Sequence, residues 1–124
     1  MRRAITVGLA LVFSAALRGA NVDADVVERG RQHFLAACAA CHSPDQGGKV
    51  GPDLRGVAGR KAGKLAGFTF SRAMKTSPII WDAKGLDAFT ENPQEVVPRN
   101  TMPYPGLPDA VTRAELVAYL MVLK

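Results

Sequence analysis

Cys38-Ala39-Ala40-Cys41-His42 sets two thiols and an imidazole next to one another, and the reading of this stretch decides the fold of the whole chain. The spacing is that of covalent c-type haem attachment. On one helical turn Cys38 and Cys41 each reach a haem vinyl group, and His42 is held under the iron as its proximal ligand. A Cys-x-x-Cys pair also suits a structural disulfide, a thioredoxin-like redox pair or half of a zinc site, but each of these leaves the adjacent histidine unexplained. A structural zinc site requires a second pair of ligands, whereas His33 is the only other histidine and there is no third cysteine. A thioredoxin-like pair requires a βαβ context, and no such pattern occurs. The expected cofactor is one covalently attached haem c.

Upstream, Arg2 and Arg3 precede an uncharged run of apolar and small residues over 4–17, and Val22-Asp23-Ala24 offers small or apolar side chains at a cleavage site. This is the layout of a secretory signal. A cut after Ala24 is preferred to one after Ala20, which would put Arg18 where small residues are favoured. The run falls short of the roughly 18 to 20 residues of a membrane span, and retention as an uncleaved anchor is the alternative. The expected organisation is a signal peptide over 1–24 and one domain over 25–124, exported to the periplasm, with no stable membrane insertion after cleavage. Export suits the cofactor, since c-type haem is attached outside the cytoplasm in bacteria.

The chain carries 16 Lys and Arg against 11 Asp and Glu, and without residues 1–24 the balance is 13 against 10. The mature domain is thus mildly basic. Its cations form no stripe interleaved with aromatics, which argues against nucleic acid as partner, while a weak positive face that steers a protein partner remains reasonable. A domain of this length with few aromatics is short of large core side chains. A buried, doubly tethered haem would supply that core.

From Asp25 onward Val26, Val27, Gly30, Phe34, Ala37, Cys38 and Cys41 recur at three- and four-residue spacing, which predicts a helix over 25–39 that delivers the cysteines. Gly30 in mid-helix costs about 1 kcal/mol relative to Ala. It is better explained by close approach of a second helix, and Thr112-Arg113-Ala114-Glu115 reads as the capping box of that helix, followed by Leu116, Leu120 and Leu123 on one face. Between the two lie many glycines and a proline-rich run over 93–108, with short helices expected over 71–75 and 86–92. No strand pattern of any length appears. The fold class is therefore all-α, with crossing terminal helices and with short helices and long loops wrapped around one haem.

The second axial ligand decides between electron transfer and ligand binding, because methionine opposite histidine raises the potential and closes the site. Met121 lies in the last helix among core residues, and Met74 sits in a short helical turn where it needs no ligand role. Met102 differs: it stands in Val97-Pro98-Arg99-Asn100-Thr101-Met102-Pro103-Tyr104-Pro105-Gly106, where three prolines restrict the backbone. His42 and Met102 are the expected metal ligands. His33 lies on the helix leading to the proximal side and reads as a surface or packed residue.

With these residues placed, the mature chain resembles the class I cytochromes c, in particular the mitochondrial-like branch and its bacterial counterparts. The resemblance is carried by Gly30 and Phe34, the haem motif, Gly51-Pro52-Asp53-Leu54, Gly59-Arg60-Lys61, Gly67-Phe68-Thr69-Phe70, Trp81, Glu91-Asn92-Pro93, Pro98, Met102 and Leu116-Val117-Ala118-Tyr119-Leu120. It implies that the Pro52 carbonyl accepts the His42 Nδ1 proton and that Arg60 and Trp81 contact the haem propionates. Left bare inside a protein, such carboxylates would be costly. Phe70 and Phe89 stand where mitochondrial members commonly carry tyrosines, and Met74 and Asn100 where they have asparagine and threonine. The polar network is expected to be sparser, with Asn100 the remaining donor near the ligand sulfur, and lysines around the Met102 loop are fewer.

The resemblance implies a periplasmic electron carrier, monomeric and not an enzyme, that cycles one iron between two oxidation states. Its expected partners are redox proteins, docking transiently: a cytochrome bc complex or a periplasmic dehydrogenase as donor, and a terminal oxidase or reductase as acceptor. A dedicated electron-transfer subunit of a periplasmic dehydrogenase is the alternative. A ligand-binding or peroxidase-like haem protein would need an open distal position and a distal acid or base, which Met102 and the placement of His33 disfavour.

Overall fold

The computed structural model describes residues 16–43 and 50–124, with side chains from residue 23 onward. Among these residues the helices are α1 (Ala16–Ala37), α2 (Ala39–His42), α3 (Arg72–Thr76), α4 (Ala83–Glu91), α5 (Pro93–Val96) and α6 (Ala110–Val122). The only strand-like pairing described is one antiparallel bridge between Lys61 and Ile80. Most of the expected signal segment lies outside the described residues.

Helices α1 and α6 cross at Gly30, as the mid-helix glycine suggested. A Cβ there would overlap the Glu115 carbonyl oxygen and come within 2.8 Å of the Tyr119 Cβ, so only hydrogen allows the two backbones to approach this closely. Phe34 and Tyr119 stack at a tilt beside the crossing, with ring centroids 5.4 Å apart. Arg29 closes its edge with a 2.6 Å bond to Glu115. Leu116, only 1 % exposed, is the most deeply buried large apolar side chain of the crossing.

Several helix limits differ from the sequence expectation, two of them, the starts of α4 and α6, because of side-chain caps. Helix α1 already runs from Ala16 rather than from 25, and α3 covers 72–76 rather than 71–75. Helix α1 ends at Ala37 rather than at 39; the Cys38 N–H still bonds the Phe34 carbonyl (2.8 Å), and α2 then starts as a separate turn in which the Cys41 and His42 amides both return to Cys38 O. Helix α6 begins at Ala110, two residues before the anticipated box. Asp109 caps it, its carboxylate accepting the Thr112 amide (2.8 Å) and hydroxyl (2.6 Å), which leaves Glu115 free to hold Arg29. Helix α4 starts at Ala83 because the Asp82 side chain accepts the Gly85 amide (2.7 Å). Pro93 stops α4, as expected, and also opens α5 at a first-turn position where its missing N–H costs nothing.

The intervening chain is fastened to these helices by backbone bonds. The Gly59 amide bonds Trp81 O (2.8 Å), the Trp81 amide bonds Arg60 O (2.9 Å) and the Ala62 amide bonds Ile79 O (2.9 Å), which clamps 59–62 against 79–81. Gly56 reaches the carbonyl of Leu123 beyond α6. Arg113, buried within α6, joins that helix to α4 through Asp87 (2.8 Å) and donates to the Leu107 and Pro108 carbonyls. With its charge and donors satisfied, a buried guanidinium is tolerable.

Candidate functional site

The apolar core is a wall. Val57, Trp81, Leu86, Phe89, Leu116 and Leu120, six of the ten buried hydrophobic residues described, also line one cleft of about 240 Å³ that takes in Cys38, Cys41, His42 and Met102. Every site residue expected from the sequence, Pro52, Arg60 and Trp81 included, faces this same cleft.

The proximal side is built by α2 and the segment after the 44–49 stretch. The His42 Nδ1 lies 2.8 Å from the Pro52 carbonyl oxygen, so that nitrogen donates and the Nε2 lone pair is left for a metal. Burial pushes the His42 imidazole below its ordinary value, and the Pro52 bond opposes this only in part; the ring is held neutral, the form that ligates iron. Gly51 makes the contact possible. Its amide bonds Cys41 O at 2.9 Å, and a Cβ on it would sit 2.8 Å from the His42 ring. The two cysteines are not joined to each other. Burial, with Cys41 beside it, lifts the Cys38 thiol to about 11, so it is a neutral thiol rather than a reactive thiolate.

Met102 arrives on a loop whose hydrogen bonds differ from those anticipated. Asn100 is not a donor to sulfur: its amide nitrogen is spent on the carbonyls of Pro93 (2.8 Å) and Val97 (2.9 Å), while its Oδ1 accepts the Met102 amide at 2.9 Å. The buried side chain positions the backbone that carries the thioether. Gln94, which the sequence gave no reason to single out, completes the brace by accepting the Arg99 amide (3.1 Å) and donating to Asn100 O (2.9 Å). No motif spacing reveals such a contact, because it depends on how α5 turns back on the loop.

Arg60 is half-buried at the cleft wall, with its Nη2 on the Asp53 carbonyl at 2.9 Å. Burial pulls its guanidinium below the usual value and Asp53 partly restores it. Trp81 packs on Phe89 at 5.0 Å between centroids. His33 is packed rather than exposed, with its Nε2 buried and without a hydrogen-bond partner.

The donor set suits a haem: a fixed imidazole, a braced thioether, two free thiols one turn apart, an apolar wall and a guanidinium at its margin. A family model for cytochrome c matches residues 27–124. The chain belongs to the cytochrome c family. It is similar to cytochrome c2 of Rhodopila globiformis (42 % identical, covering 86 % of this chain and 100 % of that protein) and of Rhodoblastus acidophilus (43 %, covering 78 % and 92 %). It is also similar to the cytochrome c of Nigella damascena, 39 % identical over 73 % of this chain and 84 % of that one. The all-α architecture with packed terminal helices is that of the class I cytochromes c, and the single Cys38, Cys41 and His42 motif marks one covalent haem c. The protein is a cytochrome c2-like electron carrier, an electron-transfer protein and not an enzyme. Among the described residues no helix is long and apolar enough to cross a membrane.

Proposed function

We propose that this cytochrome is a periplasmic, monomeric carrier whose haem iron is held by His42 and Met102, with Cys38 and Cys41 as the thioether anchors. The observation that carries the reading is that His42 and Met102, sixty residues apart in sequence, line one apolar cleft and are each braced by a neighbour in its wall, Pro52 and Asn100. The bound haem supplies a single iron that accepts and releases one electron. The residues do the rest. Pro52 fixes the imidazole's orientation and raises its basicity, and the Asn100 brace keeps the thioether in place through both oxidation states. Arg60 supplies positive charge for the propionates and Trp81 a second polar contact, while the apolar wall keeps water from the iron. A ligand set that does not rearrange between oxidation states favours fast one-electron exchange.

Residues 1–24 serve as the secretory signal, supported by Arg2, Arg3 and the uncharged run that follows. Physiological partners are redox proteins that dock transiently: a cytochrome bc complex or dehydrogenase as donor, and a terminal oxidase or reductase as acceptor. The test is the absorption spectrum of the haem-matured protein. A low-spin spectrum with the weak red-edge methionine-to-ferric-iron band, unchanged by carbon monoxide, is expected, together with loss of that band, carbon monoxide binding and a lowered potential in Met102→Ala. High-spin iron that binds carbon monoxide in the parent protein would replace the carrier with a ligand-binding or enzymatic role.

A further inference from the structure

Two uncharged runs meet at the opening of the cleft. No Lys, Arg, Asp or Glu occurs over 32–41, where α1 ends and α2 begins, or over 100–108, around Met102. The structure brings the two runs to one place: Ala37 and Val50 line the cleft from the cysteine side, and Thr101, Pro103 and Tyr104 line it from the methionine side. Ala37, Val50, Thr101 and Pro103 are exposed, Val50 by 59 %, and Ala40 is exposed between the two cysteines. Tyr104 reaches towards Cys38; burial pushes its hydroxyl above the ordinary value, and Cys38 adds to the shift.

Among the described residues, and apart from His42, charge enters the lining of the cleft only through Arg60 and Lys61, on the segment clamped to 79–81. The exposed cations Lys64, Arg72 and Lys75 line none of it. The weak positive face expected to steer a partner is therefore not at this opening. Lys49, next to Val50 in sequence, lies outside the described residues.

Resting on the carrier reading above, we infer that this opening receives a redox protein that presents an uncharged, apolar patch, recognised by burial of small apolar groups rather than by ion pairs. The fully buried centre of a protein interface is depleted in charge, and the opening already has that composition. A partner's carboxylate or ammonium seated on Ala37, Val50 and Pro103 would lose its water and meet no counter-charge. The surface is also preformed. Pro103 and Pro105 restrict the loop and Asn100 holds the Met102 amide, so contact orders little that is not already ordered. A lipid surface is the poorer occupant, because interfacial binding relies on bulky Leu, Phe or Trp side chains flanked by cations, and Ala37, Val50, Thr101 and Pro103 supply neither.

The test is electron exchange between ferrous and ferric copies of the haem-matured protein, read from NMR line broadening at high salt, where long-range repulsion is screened. Each copy serves as the probe, since its own opening is an uncharged apolar patch. The variant A37Q/V50Q keeps the charge and removes apolar contact, and should slow exchange about tenfold. The control I80Q/V122Q, at side chains exposed to a similar degree elsewhere, should change the rate by less than about twofold. So should K49Q. Pairing the parent protein with A37E/T101E should slow exchange, because the added carboxylates meet no cation. Equal slowing by the two Gln double variants, a tenfold effect of K49Q, or faster exchange with A37E/T101E would overturn the inference, the last because recognition of an acidic surface predicts it. So would binding to phosphatidylcholine vesicles that A37Q/V50Q abolishes. The Met102 absorption band is recorded first: its absence from the parent protein defeats the carrier reading, whereas an intact band with an unchanged rate in A37Q/V50Q defeats this inference alone.

Discussion

Gly30 is the residue on which the two terminal helices depend most. The cost of a mid-helix glycine was visible in the sequence, and so was its remedy, a neighbouring backbone; what occupies the space, the Glu115 carbonyl, was not. Gly30→Ala must push α6 away from α1 or bend it, and overpacking of this kind costs on the order of 2 kcal/mol. Denaturant unfolding of the haem-bound protein should show that loss with the iron spectrum intact. That His42 and Met102 belong to one cleft was legible, the first from its motif and the second from the prolines around it. Asn100 was placed correctly but given the wrong task, because a side-chain amide offers donors and an acceptor alike and only the path of the chain decides where they go.

At the scale of elements, the errors of the sequence reading at the starts of α4 and α6 have one origin. Asp82 and Asp109 are caps placed a turn ahead of the apolar pattern, and the pattern alone draws attention to where packing begins rather than to where hydrogen bonding begins. Thr112 and Glu115 resembled a capping box, yet the structure uses them as cap partner and ion-pair partner. The Met102 loop is an element of comparable definition, held by Asn100 and Gln94 instead of a helical ladder. In Asn100→Ala the Met102 amide loses its acceptor and the Pro93 and Val97 carbonyls lose a donor. Such losses are worth about 1 to 3 kcal/mol. Hydrogen exchange at the Met102 amide should therefore rise on the order of tenfold or more, while exchange in α1 and α6 stays as it was.

For the whole molecule the governing fact is that the hydrophobic core surrounds the cleft instead of filling the interior. Six apolar side chains form both core and cleft wall. Each is worth about 1.5 to 3 kcal/mol when fully buried. The six are at most 8 % exposed, and opening the domain would forfeit their burial, on the order of 10 kcal/mol, as much as the whole stability of an ordinary small domain. The variant Cys38→Ala/Cys41→Ala, which cannot tether the cofactor, is expected to lose most of its far-ultraviolet helical signal; a fully helical apoprotein would show that side chains alone sustain the fold. The scarcity of large core residues was readable from composition. Which residues would form the wall was not, since Val57 sits in a glycine-punctuated stretch with no periodic pattern.

The brace around Met102 is closed upon itself. Asn100 and Gln94 make their bonds to Pro93, Val97, Arg99 and Met102, all within one ten-residue span, and beyond it Leu107 rejoins Thr90 through a 2.8 Å backbone bond. A segment wired in this way behaves as a small cooperative unit. It lifts off whole, hinged near Asn92 and Gly106, or it stays. Under the ligation proposed above, exchange of Met102 for another ligand would then be an all-or-none local opening with its own midpoint, well short of global unfolding.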